Sequence, residues 1–244
     1  MLKAAVNSAL RQGFLTPHCI FAGDPTAPIV GWMTSRGVRL IHHNPTWSSA
    51  LVALVRGHVE ANLRQSHLFA SNESIIGTWQ RIDLPIMPWL DQFTYVLFTD
   101  TDVLFRRPFS FSEFPRPLPR AVGMGPEMQD MFPYNAGIMV ANLPRLRETY
   151  NDFLAFVLSN REGLTFPGYG PGDQGAYNAF YEADVRAWRL PDNFNSKPYH
   201  TDRPDNGGLR ARACPYIGEW IKYLEAEDAP EVKRLHKNAC PTTV

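Results

Sequence analysis

The sequence lacks an excess of charge of either sign: 24 Lys plus Arg balance 24 Asp plus Glu. With no long basic run either, it carries no sequence-independent footprint for nucleic acid or an anionic membrane surface. A few placed cations still suffice to hold one anionic small molecule. Long apolar runs are also missing. Nowhere do about 18 apolar residues follow one another, as a membrane-spanning helix requires. The opening stretch is interrupted by Asn7, Ser8, Arg11 and Gln12, so it has no signal-peptide core. These absences predict a soluble chain and leave cytoplasm and Golgi lumen both open. Cysteine is scarce as well. Cys19, Cys214 and Cys240 have no metal-ligand spacing, and their odd number excludes a full disulfide framework. Cys214 and Cys240 could pair only in an oxidising compartment. Internal repeats and low-complexity tracts are absent.

What is present suits one domain spanning 1–244. The 44% hydrophobic and 20% charged residues are ordinary for a globular protein with a substantial core. Apolar spacing predicts helices over residues 2–12, in "APIVGWMTSRG", from "SSALVALVRG" onward, in "ESIIGTWQRIDLPIM" as far as Pro85, and in "LRETYNDFLAFVLSN". Between them "PHCIFAG", "VRLIHH" and "FTYVLFTD" read as strands, the last as the strongest and most covered. Alternating helix and strand predicts an α/β fold with a largely parallel sheet. Such folds usually open with a strand, whereas this chain opens in a helix. The first strand is therefore expected to be lost, or the numbering to start inside a longer protein.

The stretch "YVLFTDTDVLF" (95–105) sets Asp100 and Asp102 directly after that apolar run. If the strand continues through them, residues two apart share a face, with Cα atoms about 6.5 Å apart. Two carboxylates closing to 4 Å repel by about 4 kcal/mol at an effective dielectric near 20. A hard divalent cation reverses that sign, and Mg²⁺ and Mn²⁺ commonly take one or two carboxylates plus substrate phosphates. Ligands of open α/β sheets also bind outside the carboxyl ends of strands. Two exposed aspartates in a solvated turn are the plainer alternative. A phosphatase with an Asp nucleophile and an Asp acid/base two residues on is another. In those enzymes the second Asp is typically followed by Gly-Thr near the start of the domain; here Val103 and Leu104 follow.

Three further segments carry polar groups in turn-like settings. "FPYNAGIMVANL" (132–143) puts Asn135 and Gly137 before a strand. "GPGDQGAYN" (170–178) puts Asp173 and Gln174 where a Gly-rich loop opens a helix. "LPDNFNSKPYH" (190–200) puts Asn195 and Lys197 in a turn. Each taken singly fits an ordinary cap or turn.

In their order, "LFTDTDVLF", "YNAGIMV", "GDQGAYN" and "LPDNFN" resemble glycosyltransferase family 8, the retaining group that includes glycogenin and galactinol synthase. Residues 75–200 carry the resemblance; residues 1–74 fit it in outline. The resemblance implies a GT-A-type, Rossmann-like nucleotide-diphospho-sugar transferase fold. Residues 1–105 would form its nucleotide-binding half and 106–244 its donor-sugar and acceptor half. It implies metal-dependent transfer of a hexose from a UDP-sugar to a sugar, polyol or protein acceptor. Mn²⁺ or Mg²⁺ would be held by Asp100 and Asp102. Arg81, Thr101, Asn135, Gly137 and Asn195 would serve the donor, and Asp173 or Gln174 would act near the anomeric carbon.

Two features of that family are not found. Its C-terminal segment, with a third metal-ligating His and a phosphate-binding Lys, is expected near "RARACPYIGEWIKYL" (210–224), which has no histidine. Lys222 is the candidate displaced cation there, and His200 and His236 are candidate stand-ins. The family's first strand, which contacts uracil and ribose, is also not recognised. A catalytically impaired or truncated relative, acting as a nucleotide-sugar-binding or interaction protein, is the alternative these gaps motivate.

Overall fold

The computed structural model describes residues 2–13, 15–57, 71–128, 131–160, 164–191 and 194–195. The chain divides after Asn195, and all of these residues belong to the first of its two units.

Helix α1 (Leu2–Arg11) buries Ala5, Val6 and Ala9 along one face, as helical spacing requires. Past its end Gly13 takes φ +72°, a left-handed turn that costs glycine no Cβ clash. Strand β1 (His18–Phe21) leads to α2 (Pro28–Ser35) and β2 (Arg39–His42). β1 and β2 pair in parallel, His18 opposite Arg39 and Phe21 opposite His42. Val6 of α1 packs with Met33 of α2 and with Val38.

Helices α3 (Ser48–Gly57) and α4 (Asn72–Trp79) follow. Ser71 caps α4 by accepting a bond from the Ser74 N–H at 3.1 Å, which satisfies one of the free amides of the first turn. Leu51, Ile75 and Trp79 are 0% exposed, and burying an Ile or Leu fully is worth about 1.5–3 kcal/mol. From Gln80 to Ile86 the chain tightens into a 3₁₀ helix that contains Pro85. Pro85 has no N–H to offer an α-helical bond, and a 3₁₀ run this long is uncommon. Gln80, Arg81 and Asp83 are all buried in it.

Beyond a short turn at Pro88–Leu90 come β3 (Tyr95–Thr99), β4 (Val122–Met128) and β5 (Met131–Asn142). Their order is β3-β5-β4, with both pairings antiparallel. Helix α5 (Leu143–Leu158) buries Leu146, Thr149, Phe153 and Val157 at intervals of three and four. A two-residue pair, β6 (Thr165–Phe166) and β7 (Gly170–Pro171), delivers the chain into α6 (Gly172–Phe180), and α7 (Glu182–Ala187) follows. The largest core cluster joins α3, α4, α5 and α6 to the three-stranded sheet through Leu51, Trp79, Met124, Met139, Phe153 and Tyr177.

The α/β class holds, but two expectations need correction. Among the described strands, the expected largely parallel sheet is parallel only at the β1–β2 pair; the three-stranded sheet is antiparallel. An apolar run reports that a strand is covered, and a covered antiparallel strand looks the same. β3 is also not the most buried strand. All five of its residues are half-buried, while Met139, Val140 and Ala141 of the middle strand β5 are 0% exposed.

Candidate functional site

The site is built around Arg81. Its place on the tight 3₁₀ segment after α4 carries the side chain into the protein, where it is 5% exposed. The guanidinium lies over the Phe98 ring at 4.3 Å. Nη2 donates to Asp100 Oδ1 at 2.5 Å and Nη1 to the Ala136 carbonyl at 2.5 Å. Nε sits 2.8 Å from Asp173 Oδ2. Those two atoms are not aligned as a hydrogen bond, so the contact is an ion pair. Burial alone would lower the Arg81 pKa, but Asp173 and then Asp100 outweigh it and hold the guanidinium protonated. Asp173 experiences the reverse. Burial raises its pKa, Arg81 pulls it back, and the Asp100 charge raises it further.

β5 supplies the neighbouring wall. Opposite β4, its register jumps between Met124 and Gly125 from Met139 to Asn135. This irregularity frees Ala136 and Gly137 from β4, and a bulge of that kind re-aims nearby groups. The Ala136 carbonyl then reaches Arg81, and the Gly137 carbonyl accepts from the Asp100 N–H at 2.8 Å. Gln174, in the first turn of α6, accepts at Oε1 from Asn135 Nδ2 at 2.9 Å and from the Ala136 N–H at 3.2 Å. A backbone N–H can only donate, so the Gln174 oxygen faces β5 and its amide nitrogen is left to donate elsewhere. Asn135 Oδ1 accepts from the Gly137 N–H at 3.0 Å and from Asn195 Nδ2 at 3.5 Å.

Glycines make these approaches feasible. A Cβ on Gly137 would lie 2.8 Å from Asn135 Oδ1 and 3.2 Å from Asp100 Oδ2, and one on Gly125 would lie 2.6 Å from Asn195. The expectation that Asp100 and Asp102 extend the strand is corrected. β3 ends at Thr99, and the Val103 N–H returns to the Asp100 carbonyl at 3.4 Å, closing a turn. Thr101 and Asp102 form its exposed tip. The strand stops because the chain bends, so alternation no longer decides which way the aspartates point.

The aspartates are nonetheless close enough to feel each other. Although Asp102 is exposed as a residue, its carboxyl is partly desolvated by the surrounding chain, and this and then the Asp100 charge raise its pKa. Asp100 gives Oδ1 to Arg81 and keeps Oδ2 beside the space that Gly137 leaves unfilled. Two mutually repelling carboxylates, one with a spare oxygen, fit a hard divalent cation that completes its shell with phosphate and water. Among the described residues no group of three or more His, Cys, Asp or Glu converges. Asp100 and Asp102 thus stand as a pair, with no third such group beside them among the described residues. Lys222, Lys197, His200, His236, Cys214 and Cys240 lie outside the described residues.

No family model matches the sequence, and no curated protein matches it either. Among solved structures it is similar to mouse xyloside xylosyltransferase 1 in its apo form. The identity is 16%, the coverage is 75% of this chain and 77% of that one, and the TM-score is 0.43. That likeness is too loose to carry an argument, so the functional conclusion stands on this chain's own residues.

The structure thus brings Arg81, Asp100, Asn135, Gly137, Asp173, Gln174 and Asn195 into one bonded network, with Thr101 and Asp102 at its rim. The sequence had not singled out Asn178, one turn after Gln174. Its side chain accepts from the Tyr134 N–H at 2.8 Å and donates to the Tyr134 carbonyl at 2.7 Å. Nor did it mark Asp83, two residues from Arg81 and 1% exposed. Asp83 accepts from Trp47 Nε1 at 2.7 Å and the Tyr150 hydroxyl at 2.8 Å, and meets His43 Nε2 at 2.6 Å. Its signal in the sequence is faint: one acidic residue inside an apolar segment. Cys19 is a free thiol, and no described helix is long and apolar enough to cross a membrane.

Proposed function

We propose that this chain is a metal-assisted glycosyltransferase of GT-A type. It would transfer a hexose from a UDP-sugar, with retention, to a hydroxyl of a sugar, polyol or protein acceptor. The single observation carrying this reading is the convergence around Arg81. Residues from four separate sequence blocks, each unremarkable alone, share one polar network beside an acidic turn.

Asp100 Oδ2 and Asp102 would hold Mn²⁺ or Mg²⁺, which when bound offsets negative charge developing on the departing nucleoside diphosphate. Arg81 positions Asp100 through Oδ1 and leaves Oδ2 for the cation. Gln174 offers amide N–H donors to sugar hydroxyls, because its oxygen is already occupied by β5. Asp173 is the buried carboxylate at the same wall; with Arg81 beside it, it supplies negative charge near the anomeric carbon. Asn135 and Asn195 complete a lining of amides, the groups that give pockets their orientation-specific contacts.

Calorimetric titration of UDP and UDP-sugars, with and without Mn²⁺, followed by a donor-hydrolysis assay, tests this. Mn²⁺-dependent UDP binding abolished by Asp102→Ala supports it. Binding with neither hydrolysis nor transfer moves the chain to the nucleotide-sugar-binding alternative. No UDP binding at all rejects both.

A further inference from the structure

Three aromatic rings stand half-buried beside this network. Phe132 and Tyr134 lie at the head of β5, and Tyr169 lies in the loop between β6 and β7. Phe132 packs edge-to-face with both: on Tyr134 at 5.6 Å and 78°, and on Tyr169 at 5.6 Å and 88°. The Arg186 guanidinium sits 3.7 Å over the Phe132 ring. Glu182 joins the two ends, accepting from the Tyr169 hydroxyl at 2.6 Å and from Arg186 Nε at 2.8 Å. Phe132, Tyr169, Glu182 and Arg186 therefore form a closed cycle of contacts. Tyr134 is pinned separately, its backbone N–H and carbonyl both bonded to Asn178.

The rings pack against the edge of the main core cluster but stay half-buried, and on the solvent side a glutamate and an arginine, with side chains 39% and 52% exposed, hold Tyr169 and Phe132 in position. A ligand meeting such a ledge orders few side chains on binding, which is the cost preorganisation removes. The ledge also shares its frame with the polar lining. Asn178 and Gln174 lie one turn apart on α6, and Phe132 is three residues from Asn135, about 10 Å along an extended strand.

The geometry points to an acceptor subsite: Phe132, Tyr134 and Tyr169 receive the apolar face of a saccharide ring, with Glu182 and Arg186 meeting its hydroxyls. Aromatic side chains with a polar tip suit a ligand that is apolar on one side and wet on the other. A pyranose presents C–H groups on its faces and hydroxyls at its edge, whereas a polyol chain has no flat face to offer. This choice of acceptor rests on the glycosyltransferase reading.

Saturation-transfer NMR of the full chain with maltose, cellobiose and xylobiose, in the presence of UDP and Mn²⁺, tests the subsite. At least one disaccharide is expected to bind at millimolar affinity, with Tyr169→Ala weakening it about tenfold and Tyr169→Phe changing it less than threefold. Where Tyr169→Ala does not fold, the exposed Glu182→Ala releases both Tyr169 and Arg186 and removes a hydroxyl contact without removing a ring, and a loss of threefold or more is expected. Binding of none of the three, or equal binding by wild type and the folded variants, overturns the subsite. UDP titration of the wild type reads the donor site separately. Tyr169-dependent saccharide binding without UDP binding keeps the ledge and rejects the donor reading, and the converse rejects only the ledge.

Discussion

Arg81 Nε lies 2.8 Å from Asp173 Oδ2, with side chains only 5% and 10% exposed. One guanidinium serves two carboxylates here, since Asp100 takes Nη2. Removing it leaves buried negative charge unpaired. Arg81→Met is expected to cost about 3–5 kcal/mol in urea unfolding, the range for breaking a buried pair from one side. Adding Asp173→Asn recovers part of that, because the stranded charge is gone. Arg81→Met within 1 kcal/mol of wild type would contradict the pairing.

Gly137 keeps Asn135 Oδ1 and Asp100 Oδ2 in their present positions, since a Cβ would meet them at 2.8 and 3.2 Å. Both are side-chain tips that can swing away. Gly137→Ala is therefore expected to lower Mn²⁺-dependent UDP affinity while Tm moves only a few degrees. Unchanged affinity would show that the cradle is not used.

Asp102 has its pKa raised by partial desolvation and then by the Asp100 charge. Neutralising it removes repulsion. Asp102→Asn is expected to leave folding stability within about 0.5 kcal/mol of wild type or slightly improved. Cation affinity in the presence of UDP should fall by about tenfold or more, each tenfold being about 1.4 kcal/mol. Calorimetry and thermal unfolding on the same sample separate the two effects.

Asp83 is bonded at both oxygens by side chains from three other segments, those of Trp47, Tyr150 and His43. Asp83→Ala deprives all three donors of their acceptor, and each buried polar group left unsatisfied costs about 1–3 kcal/mol. Because Asp83 is on the same 3₁₀ segment as Arg81, the loss should also loosen the site. Hydrogen exchange at residues 80–86 is expected to quicken relative to β5, and protection equal to wild type would refute this coupling.

The buried tyrosines predict an alkaline limit. Burial raises Tyr181 to about 12, against a weaker pull from its Thr149 partner. Burial is also the largest cause raising Tyr177 and Tyr150. A hydroxyl whose folded pKa exceeds its unfolded value contributes stability that is complete below about pH 10 and is lost as pH climbs toward the folded value. Absorbance of tyrosinate should therefore rise abruptly together with loss of circular dichroism above pH 10. Tyr181→Phe should move that midpoint upward. Smooth titration of every tyrosine near 10 in folded protein would contradict it.

Local chemistry in the sequence was enough to place α1 to α6, because apolar spacing acts within a few residues, although the helix expected to reach Pro85 ends at Trp79, where the 3₁₀ segment takes over. The acidic pair and the three further polar blocks were legible for the same reason. Strand direction was not, since an apolar run records coverage and carries no information about its partner. The paths of Arg81 and Asp83 were hidden too: on an apparent helix end each looks like a surface charge. Only the tertiary structure turns the Gln80–Ile86 segment inward, where Asp173, Asp100, His43, Trp47 and Tyr150 arrive from distant parts of the chain. Burial makes a charge costly unless such partners meet it, and that meeting is a property of the packed molecule rather than of any stretch of sequence.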